Sequence, residues 1–266
     1  MYTFGFIGTG NMGGALARAA SKSTKNILLN DHFAEKAQSL ADELGVKVGS
    51  IEEVAAQCEY IFLGVKPQMM ADMLASIKDV LKDRDDVVLV TMAAGLEIET
   101  IRSFAGGGYK TIRIMPNTPV SVGAGEILYC KSENTTSEEL EVFLDNMKFA
   151  GALTEIGEEL MNAGCSVSGC GPAFVYMFIQ ALAEGGTACG IDAETSLKLA
   201  AQTVFGSAKL LIESGIDPDT LIKNVCSPGG STIEGVKSLQ FDNLADVVVD
   251  AVEASYNRNI ELGKKD

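Results

Sequence analysis

The sequence predicts an α/β chain in which an N-terminal parallel sheet is followed by an all-α C-terminal domain. Short apolar runs alternate with helical periodicities up to about residue 160, which favours parallel strands with helices on both faces of the sheet. From Pro172 onward the strand signal is almost absent, and long helical stretches remain. We therefore expect two domains, at residues 1–162 and 163–266.

The strands of the N-terminal domain are predicted from short apolar runs that end near Gly, Pro or Asn. These runs lie at residues 2–7, 26–30, 46–48, 60–65, 87–91 and 110–114. Helices are predicted between the strands, at residues 11–20, 33–44 and 68–81 and from residue 51. A strand followed by a helix and then by another strand is the pattern of a crossover between parallel neighbours.

The helices of the C-terminal domain are predicted from their first residues. Pro172 has the position of a proline in a first helical turn, and Asp192 and Asp217 have the position of N-caps. These signals predict helices at residues 173–189, from 192 to about 214, from 218, and from 242 to about 262.

The charge balance restricts the kind of partner that the protein binds. The 266 residues contain 21 Lys and Arg against 36 Asp and Glu, a formal net charge of −15. Such a chain is repelled by phosphate backbones and by anionic lipid, so we expect neither nucleic acid nor a membrane surface as a partner. A small anionic substrate is compatible with this charge, because a helix N-terminus can bind it locally.

The cysteine and histidine content argues against a metal centre and against a disulfide framework. Six cysteines are scattered without a CxxC pair, and His32 is the one histidine of the chain. A zinc site of mixed ligands therefore lacks ligands, and free thiols are favoured in a chain with a hydrophobic fraction of 47%. The N-terminus has no basic region, and no apolar run reaches the ~18 residues of a membrane span, so we expect a cytoplasmic protein without a metal.

A glycine-rich turn lies between the first predicted strand and the first predicted helix. Residues 8–13 read Gly-Thr-Gly-Asn-Met-Gly. In this context the pattern indicates a turn whose backbone approaches a dinucleotide pyrophosphate; a glycine turn with packing roles only is the alternative. Asp31 ends the second strand, where a carboxylate binds the ribose 2′-hydroxyl of NAD. An Asp that only caps the next helix is the alternative there.

A second glycine turn lies between two predicted helices of the C-terminal domain. Residues 227–232 read Ser-Pro-Gly-Gly-Ser-Thr, and two glycines before a helix expose backbone N–H groups that bind a carboxylate or a phosphate. A plain N-cap at Ser231 or Thr232, with Glu234 in the first turn, explains the same residues. The loop Lys66-Pro67 follows another strand and is interpreted as lying near the cofactor.

These motifs resemble those of pyrroline-5-carboxylate reductase over essentially the whole chain. The matching segments are Gly5–Gly13, Val65–Gln68, Ala93–Gly95, Arg113–Pro119, Ser168–Ala173 and Cys226–Glu234. The last segment, CSPGGSTIE, is the most specific. Cys170 stands where the family often has a serine, and Asp31 stands where a small hydroxyl residue is common.

The resemblance implies a Rossmann-type domain and a helical domain that forms an intertwined homodimer, in some members assembled further into a decamer. The implied reaction is the reduction of 1-pyrroline-5-carboxylate to L-proline with NADH or NADPH, in proline biosynthesis. The residues implied to line the cofactor are Gly8, Thr9, Gly10, Asn11, Met12, Asp31, Ser50, Val65, Lys66, Pro67 and Ala94. The residues implied to line the substrate are Glu158, Asn224, Ser227, Gly230, Ser231 and Thr232, of which Thr232 is the expected catalytic residue.

The residues suit an imine reduction that requires no histidine, metal or nucleophile. The substrate carboxylate is expected on the N–H groups of residues 229–232. The Thr232 hydroxyl is expected to orient the ring nitrogen and not to protonate it, because it is too weak an acid. Asp31 weakly favours NADH over NADPH, since its carboxylate repels a 2′-phosphate and residues 30–35 contain no Lys or Arg.

Two other functions fit the same two-domain layout. A β-hydroxyacid dehydrogenase-like enzyme needs a catalytic lysine early in the helical domain, and residues 164–185 contain none. A non-catalytic NAD(P)-binding redox sensor is expected to have a degraded 227–232 turn, and this turn is intact. His32 is expected at the adenosine end of the cofactor, which argues against a histidine proton donor at the nicotinamide.

Overall fold

A computed structural model describes residues 1–263. In chain order its elements are β1 (Tyr2–Ile7), α1 (Asn11–Ala20), β2 (Ile27–Asn30), α2 (Ala34–Leu44), β3 (Lys47–Val48), α3 (Ile51–Gln57), β4 (Cys58–Leu63), α4 (Met70–Leu81), β5 (Val88–Thr91), α5 (Ile98–Ala105), β6 (Lys110–Pro116), β7 (Gly125–Lys131), α6 (Ser137–Met147), β8 (Gly151–Glu155), α7 (Met161–Ser168), α8 (Gly171–Ala188), α9 (Ala193–Ser214), α10 (Pro218–Val225), α11 (Ser231–Phe241) and α12 (Leu244–Gly263). The predicted fold class, a mainly parallel sheet followed by helices, is confirmed.

The strands form an eight-stranded sheet in the order β3-β2-β1-β4-β5-β6-β7-β8. The first six strands run parallel, and β1 lies between β2 and β4, with Phe6 opposite both Leu29 and Phe62. β2 and β3 lie on one side of β1, and β4 and the later strands lie on the other. The strand order therefore reverses between β1 and β4, and the carboxyl ends of these two strands form the switch point at which such sheets bind ligands.

β7 departs from the all-parallel sheet that the sequence predicts. It runs antiparallel to β6, whereas β8 runs parallel to β7. Only residues 117–124 connect β6 to β7. A parallel crossover needs a dozen or more residues, so the chain turns back beside β6. No helix or strand is predicted from the sequence at the positions of α5, α6, β7 and β8.

Two apolar layers enclose the sheet. On one face Phe6 and Phe62 stack at 4.3 Å between ring centroids, and Phe143 of α6 packs beside them. The other face packs Ile61 and neighbouring side chains against Leu74 of α4. Adjacent residues of β4 point to opposite faces, as the period of a strand requires. From Tyr60 to Leu63 the strand is therefore apolar and buried, as expected of a strand covered on both faces.

The chain divides into two compact units. The first unit comprises residues 1–170 and the end of α12 from residue 255, and the second unit comprises Gly171–Ala254. The division lies at 170 and not at the expected 162, because Met161 of α7 packs against Met115 and Leu128 of the sheet. The end of α12 belongs to the first unit, where Asn259 Nδ2 donates to the Asn162 carbonyl and the Ser166 hydroxyl at 3.3 and 3.2 Å.

The helical stretch Glu158–Ala188 differs from the expectation that no segment is apolar enough to span a membrane. By length and composition alone it is apolar enough to cross a membrane, whereas the sequence analysis expects no such segment. Only 6% of its most apolar window is buried within the chain. Helices that are covered by another subunit also present exposed apolar faces in the isolated chain.

Candidate functional site

The glycine turn after β1 presents an open helix N-terminus. Gly8 has φ +96°, and a Cβ built on it lies 2.6 Å from the Gly64 carbonyl oxygen. A Cβ on Gly13 would collide with the Gly8 carbonyl oxygen, so α1 packs closely under the turn. Gly10 is the N-cap of α1 without a side-chain cap, and nothing lies within 4 Å of its built Cβ. The turn offers N–H groups and space to a diphosphate and therefore fits a dinucleotide.

Asp31 is held by the same turn. Its Oδ2 accepts hydrogen bonds from the Thr9 N–H at 2.7 Å and the Thr9 hydroxyl at 3.0 Å, and its Oδ1 accepts from the Phe33 N–H at 2.9 Å. Partial burial opposes ionisation, but the hydrogen bonds from Phe33 and Thr9 outweigh it and hold the pKa of Asp31 below its usual value. Phe33, and not Asp31, is the N-cap of α2. The carboxylate is ionised at neutral pH and has acceptor capacity left on Oδ1.

A cation lies close to Asp31, one residue beyond the stretch 30–35, which contains no Lys or Arg. Lys36 Nζ lies 4.8 Å from the centroid of the Phe33 ring, within cation–π distance. Lys36 also lines a concavity with Thr9, Gly10 and Asn11, and its charge contributes to the lowered pKa of Asp31. The edge of the cofactor turn therefore carries the negative charge of Asp31 and the positive charge of Lys36.

Other residues implied for the cofactor lie at the same edge of the sheet. Residues 65–67 follow β4, beside the end of β1, and Pro67 lines a mainly apolar concavity together with the exposed Ala94. Ser50 is engaged locally, since its hydroxyl accepts from the Glu53 N–H at 3.1 Å in a capping box at the start of α3. The implied cofactor residues of the first unit thus occupy the carboxyl ends of β1 to β5.

The second glycine turn lies in the second unit and also opens onto a helix N-terminus. Gly229 has φ +72°, and the Gly230 N–H donates to the Ser227 carbonyl at 3.0 Å. Gly230 is the N-cap of α11 and supplies no side-chain cap. Ser231 and Thr232 are exposed and occupy the first two helical positions, so neither residue is the N-cap. Asn224 is exposed in α10, in the same unit.

Glu158 lies in the first unit and is already engaged there. Its Oε1 accepts from Arg113 Nη1 at 2.9 Å and from the Ile98 N–H at 2.7 Å. The Arg113 side chain is only 3% exposed, and that of Glu158 is 33% exposed. Glu158 therefore neutralises a buried guanidinium and satisfies the N-terminus of α5. This contact joins residues 45 positions apart, and the sequence analysis has no signal for it.

Asn117 is a further residue for which the sequence analysis gives no role. Its Nδ2 donates to the Ser168 carbonyl at 3.0 Å, and its Oδ1 accepts from the Glu126 N–H at 2.9 Å. Asn117 thereby ties the turn after α7 to the carboxyl end of β6. The only available signal was its position between two prolines, at 116 and 119.

Two family models match the two parts of the chain. The model described as "Pyrroline-5-carboxylate reductase dimerisation" matches residues 158–262. The model described as "NADP oxidoreductase coenzyme F420-dependent" matches residues 3–95, which contain the first glycine turn.

Known proteins match the chain over nearly its whole length. A pyrroline-5-carboxylate reductase of Aquifex aeolicus is 36% identical over 264 residues, which is 98% of this chain and 96% of the relative. That of Methanosarcina acetivorans is 33% identical over 266 residues, which is 98% of each chain. The crystal structure of Plasmodium falciparum pyrroline carboxylate reductase with NADP bound superposes with a TM-score of 0.84 at 31% identity, and covers 99% of this chain and 98% of that chain.

Proposed function

The chain belongs to the pyrroline-5-carboxylate reductase family, and from this premise we propose that it reduces 1-pyrroline-5-carboxylate to L-proline with NAD(P)H. Relatives at 33% and 36% identity match 98% of the chain, so the membership extends over both units. The observation that carries the reaction is the uncapped glycine turn 8–13 at the switch point of the sheet, which fits a dinucleotide. The reaction completes proline biosynthesis.

The first unit binds and orients the cofactor. When bound, the nicotinamide supplies the hydride that adds to C5 of the cyclic imine. Residues 8–13 hold the pyrophosphate through their N–H groups and the positive end of the α1 dipole. Pro67 and Ala94 form part of the wall of the concavity beyond β4 and β5, where the less polar part of the cofactor is held away from water.

The second unit contributes the turn 227–232, which we assign to the substrate carboxylate. This assignment is supported by the N-terminus of α11, which has no side-chain cap, and by two glycines that place no side chain beside it. A carboxylate at a helix N-terminus gains roughly 0.3–1 kcal/mol from the helix dipole, and its hydrogen bonds are charge-assisted. Asn224, Ser227 and Ser231 are the neighbouring side chains that complete the polar surroundings of the turn.

Thr232 is the residue that we assign to the ring nitrogen. Its hydroxyl stands in the first turn of α11 and is not the helix cap, so it is free to bind a ligand. A threonine hydroxyl is far too weak an acid to protonate an imine. The hydroxyl therefore orients a nitrogen that is already protonated or that receives its proton from water, and catalysis rests on positioning and electrostatic support.

A weak preference for NADH follows from the charges around the adenosine ribose. The ionised Asp31 repels a 2′-phosphate, and the adjacent Lys36 partly offsets this repulsion. The relative from Plasmodium falciparum has NADP bound, so the family accepts the phosphorylated cofactor. Because Asp31 and Lys36 carry opposite charges, we expect that this chain uses both cofactors and prefers NADH.

The helical unit is assigned to self-association. Residues 158–262 match the dimerisation model of the family, and the apolar side chains of this region are largely exposed in the single chain. We assign a cytoplasmic homodimer, with a decamer as the larger assembly that such dimers can build, and we expect no nucleic-acid or membrane partner.

The deciding experiment is a spectrophotometric assay of NADH and NADPH oxidation with 1-pyrroline-5-carboxylate, with proline measured as the product. We expect one proline per cofactor oxidised, and no oxidation when the imine is omitted. Cofactor binding without proline formation would favour the redox-sensor function. Oxidation of a β-hydroxyacid with NAD⁺, in the absence of imine reduction, would favour the dehydrogenase alternative.

A further inference from the structure

Two cysteines flank the turn that leads from α7 into α8. Cys165 lies in α7, and Cys170 is the last residue of the first unit before α8 begins. Both side chains are partly accessible, and both are free thiols. The assigned reaction uses neither of them.

The backbone brings these two residues together. In a regular α-helix, residues five positions apart point to different sides, because each residue turns the chain by about 100°. Here the Cys170 N–H donates to the Cys165 carbonyl at 2.9 Å, and the Gly169 N–H donates to the same oxygen at 2.8 Å. A bond between residues i and i+5 is a π-turn, which occurs at the C-terminal ends of helices. It holds the backbone of Cys170 next to the Cys165 carbonyl, one turn earlier in the chain.

The sulfur of Cys165 leans toward this turn. A Cβ built on Gly169 lies 2.9 Å from Cys165 Sγ, so the thiol packs directly against the turn. Burial raises the pKa of the Cys165 thiol, and the neighbouring Cys170 raises it further by its charge and by a side-chain hydrogen bond, in spite of Asn259 and Arg113. The Cys165 thiol therefore packs on the turn that holds Cys170, close enough for the two thiols to interact.

We propose that Cys165 and Cys170 are a redox modification site, which forms an internal disulfide with a small-molecule disulfide as oxidant and thereby slows the enzyme. Cys170 attacks first, because partial burial raises the pKa of the Cys165 thiol and disfavours its thiolate. One sulfur of the oxidant bonds to Cys170 and the other leaves as a thiolate. Cys165 then loses its proton and attacks the Cys170 sulfur, which releases the second thiolate. The protein loses two electrons and two protons, and the oxidant becomes two thiols.

The position of the turn explains why this bond affects catalysis. The Ser168 carbonyl, inside the bridged segment, accepts from Asn117 Nδ2 at 3.0 Å. Asn117 follows β6 at the edge of the sheet where the cofactor residues lie. A disulfide fixes its two Cα atoms within about 4.4–6.8 Å of each other, so its formation constrains the 168–170 turn that carries the bond to Asn117. The effect on turnover, but not the bond itself, rests on the proposed function.

The other cysteines offer controls. Burial raises the pKa of the Cys58 and Cys130 thiols to about 12, so both resist modification. Cys189 is exposed in the second unit, and it provides an accessible thiol outside the pair. Cys170→Ser is a mild change, because serine is the residue that the resemblance implies at this position.

The test treats the full-length reduced enzyme with glutathione disulfide, followed by mass spectrometry and hydrogen exchange. We expect a loss of two hydrogen masses, a peptide link between residues 165 and 170, altered amide exchange at 169–170, and at least a tenfold loss of activity that a reduced dithiol reverses. Cys165→Ala and Cys170→Ser should each prevent the link and the activity loss, whereas Cys189→Ser should behave as the wild type.

Three results would overturn the proposal. They are a glutathione adduct that persists on Cys170, a disulfide between subunits on a non-reducing gel, and a 165–170 disulfide with unchanged turnover. If the reduced enzyme lacks imine reductase activity, the proposed function fails, while the mass and exchange data still decide whether the pair closes.

Discussion

The two units of the chain differ in how they bury their apolar side chains. In the first unit, Phe4, Phe6, Phe62 and Phe143 are fully buried between the sheet and its helices. In the described residues of the second unit only Ala183, Ser196 and Ala200 are buried. Large side chains of the second unit are exposed instead, with Ile212 at 80% and Phe241 at 85%. One unit carries its own hydrophobic core, and the other does not.

This difference shows where the stability of each unit must come from. Scattered exposed apolar residues are normal on protein surfaces, but a whole helical unit with almost no buried side chain is not. A covering partner supplies the burial that such helices need, and obligate dimers often have no stable folded monomer. The match of residues 158–262 to a dimerisation model agrees with this reasoning. The first unit can be understood from one chain, whereas we propose that the second unit requires another copy.

The strongest test of this difference between the units is to replace one exposed valine in each unit by aspartate. Val248 in the second unit is 47% exposed and Val122 in the first unit is 77% exposed. If the second unit forms a two-fold interface, Val248→Asp places two unpaired carboxylates there and costs about 5 kcal/mol per dimer. Sedimentation velocity should then show dissociation and loss of helical signal at micromolar concentration.

Val122→Asp is the matched control and should change the free energy of unfolding by no more than about 0.5 kcal/mol. A wild-type protein that sediments as a well-folded monomer, or a Val248→Asp variant as stable and as oligomeric as the control, would refute the need for a partner.

The second prediction concerns the long-range pair in the first unit. Glu158→Ala leaves the guanidinium of Arg113 buried without its counter-ion and the Ile98 N–H without its acceptor. The expected cost is about 3 kcal/mol, or a fall in Tm of roughly 6–12 °C for a chain of this size. Glu159→Ala removes the exposed neighbouring carboxylate and should leave Tm nearly unchanged. A stable Glu158→Ala variant with a raised KM for the imine would instead support the substrate role that the resemblance implies.

The third prediction tests whether the glycine turn at 227–232 serves the substrate while the turn at 8–13 serves the cofactor. Thr232→Ala should fold normally and lose about 10- to 100-fold in kcat, because one positioned hydrogen bond in a closed site contributes roughly 1.5–3 kcal/mol. Thr232→Ser keeps the hydroxyl and should keep most of the rate. NADH fluorescence should report unchanged cofactor affinity in both variants, since the cofactor turn lies in the first unit. An alanine variant with wild-type kcat would remove Thr232 from the mechanism.

The smallest expected effect concerns Asp31 in the first unit. Repulsion of a 2′-phosphate at a partly exposed carboxylate amounts to roughly 1–2 kcal/mol, a 5- to 30-fold preference for NADH in kcat/KM. Asp31→Ser should move this ratio toward NADPH. Because the pKa of Asp31 is lowered, the carboxylate is charged in any assay near neutral pH, and the preference should fade only as the pH falls toward that lowered pKa.

Asp31→Asn is a useful companion variant, since it removes the charge and keeps an acceptor for Thr9 or Phe33. If the wild type already prefers NADPH, or if neither variant moves the ratio, Asp31 serves only to hold the glycine turn.

The features predicted best from the sequence are the helices, strands and turns that depend on residues close to one another in the chain. The strand and glycine signals at residues 2–13 act over a few neighbours, and β1, α1 and the open turn follow them. The bridge between Arg113 and Glu158 depends on which strands and helices become neighbours, so no local pattern reveals it. β7 was missed for the same reason, because its direction is fixed by the short connection after Pro116 and by pairing with β6. Lys36 could be predicted from the sequence as a cation able to swing toward a phosphate, but its packing over the Phe33 ring could not, because that contact depends on the side-chain conformation.

The contact of Asn259 with α7 has a consequence for biosynthesis on the ribosome. The stretch 158–188 leaves the exit tunnel while the rest of the helical unit is still being translated, at about 5–20 residues per second. During that interval the nascent chain displays a helical stretch that is long and apolar enough to cross a membrane. The residues of α12 that pack on α7 are translated only after the whole second unit. The first unit, although its translation begins first, is therefore completed only after the second unit has been made.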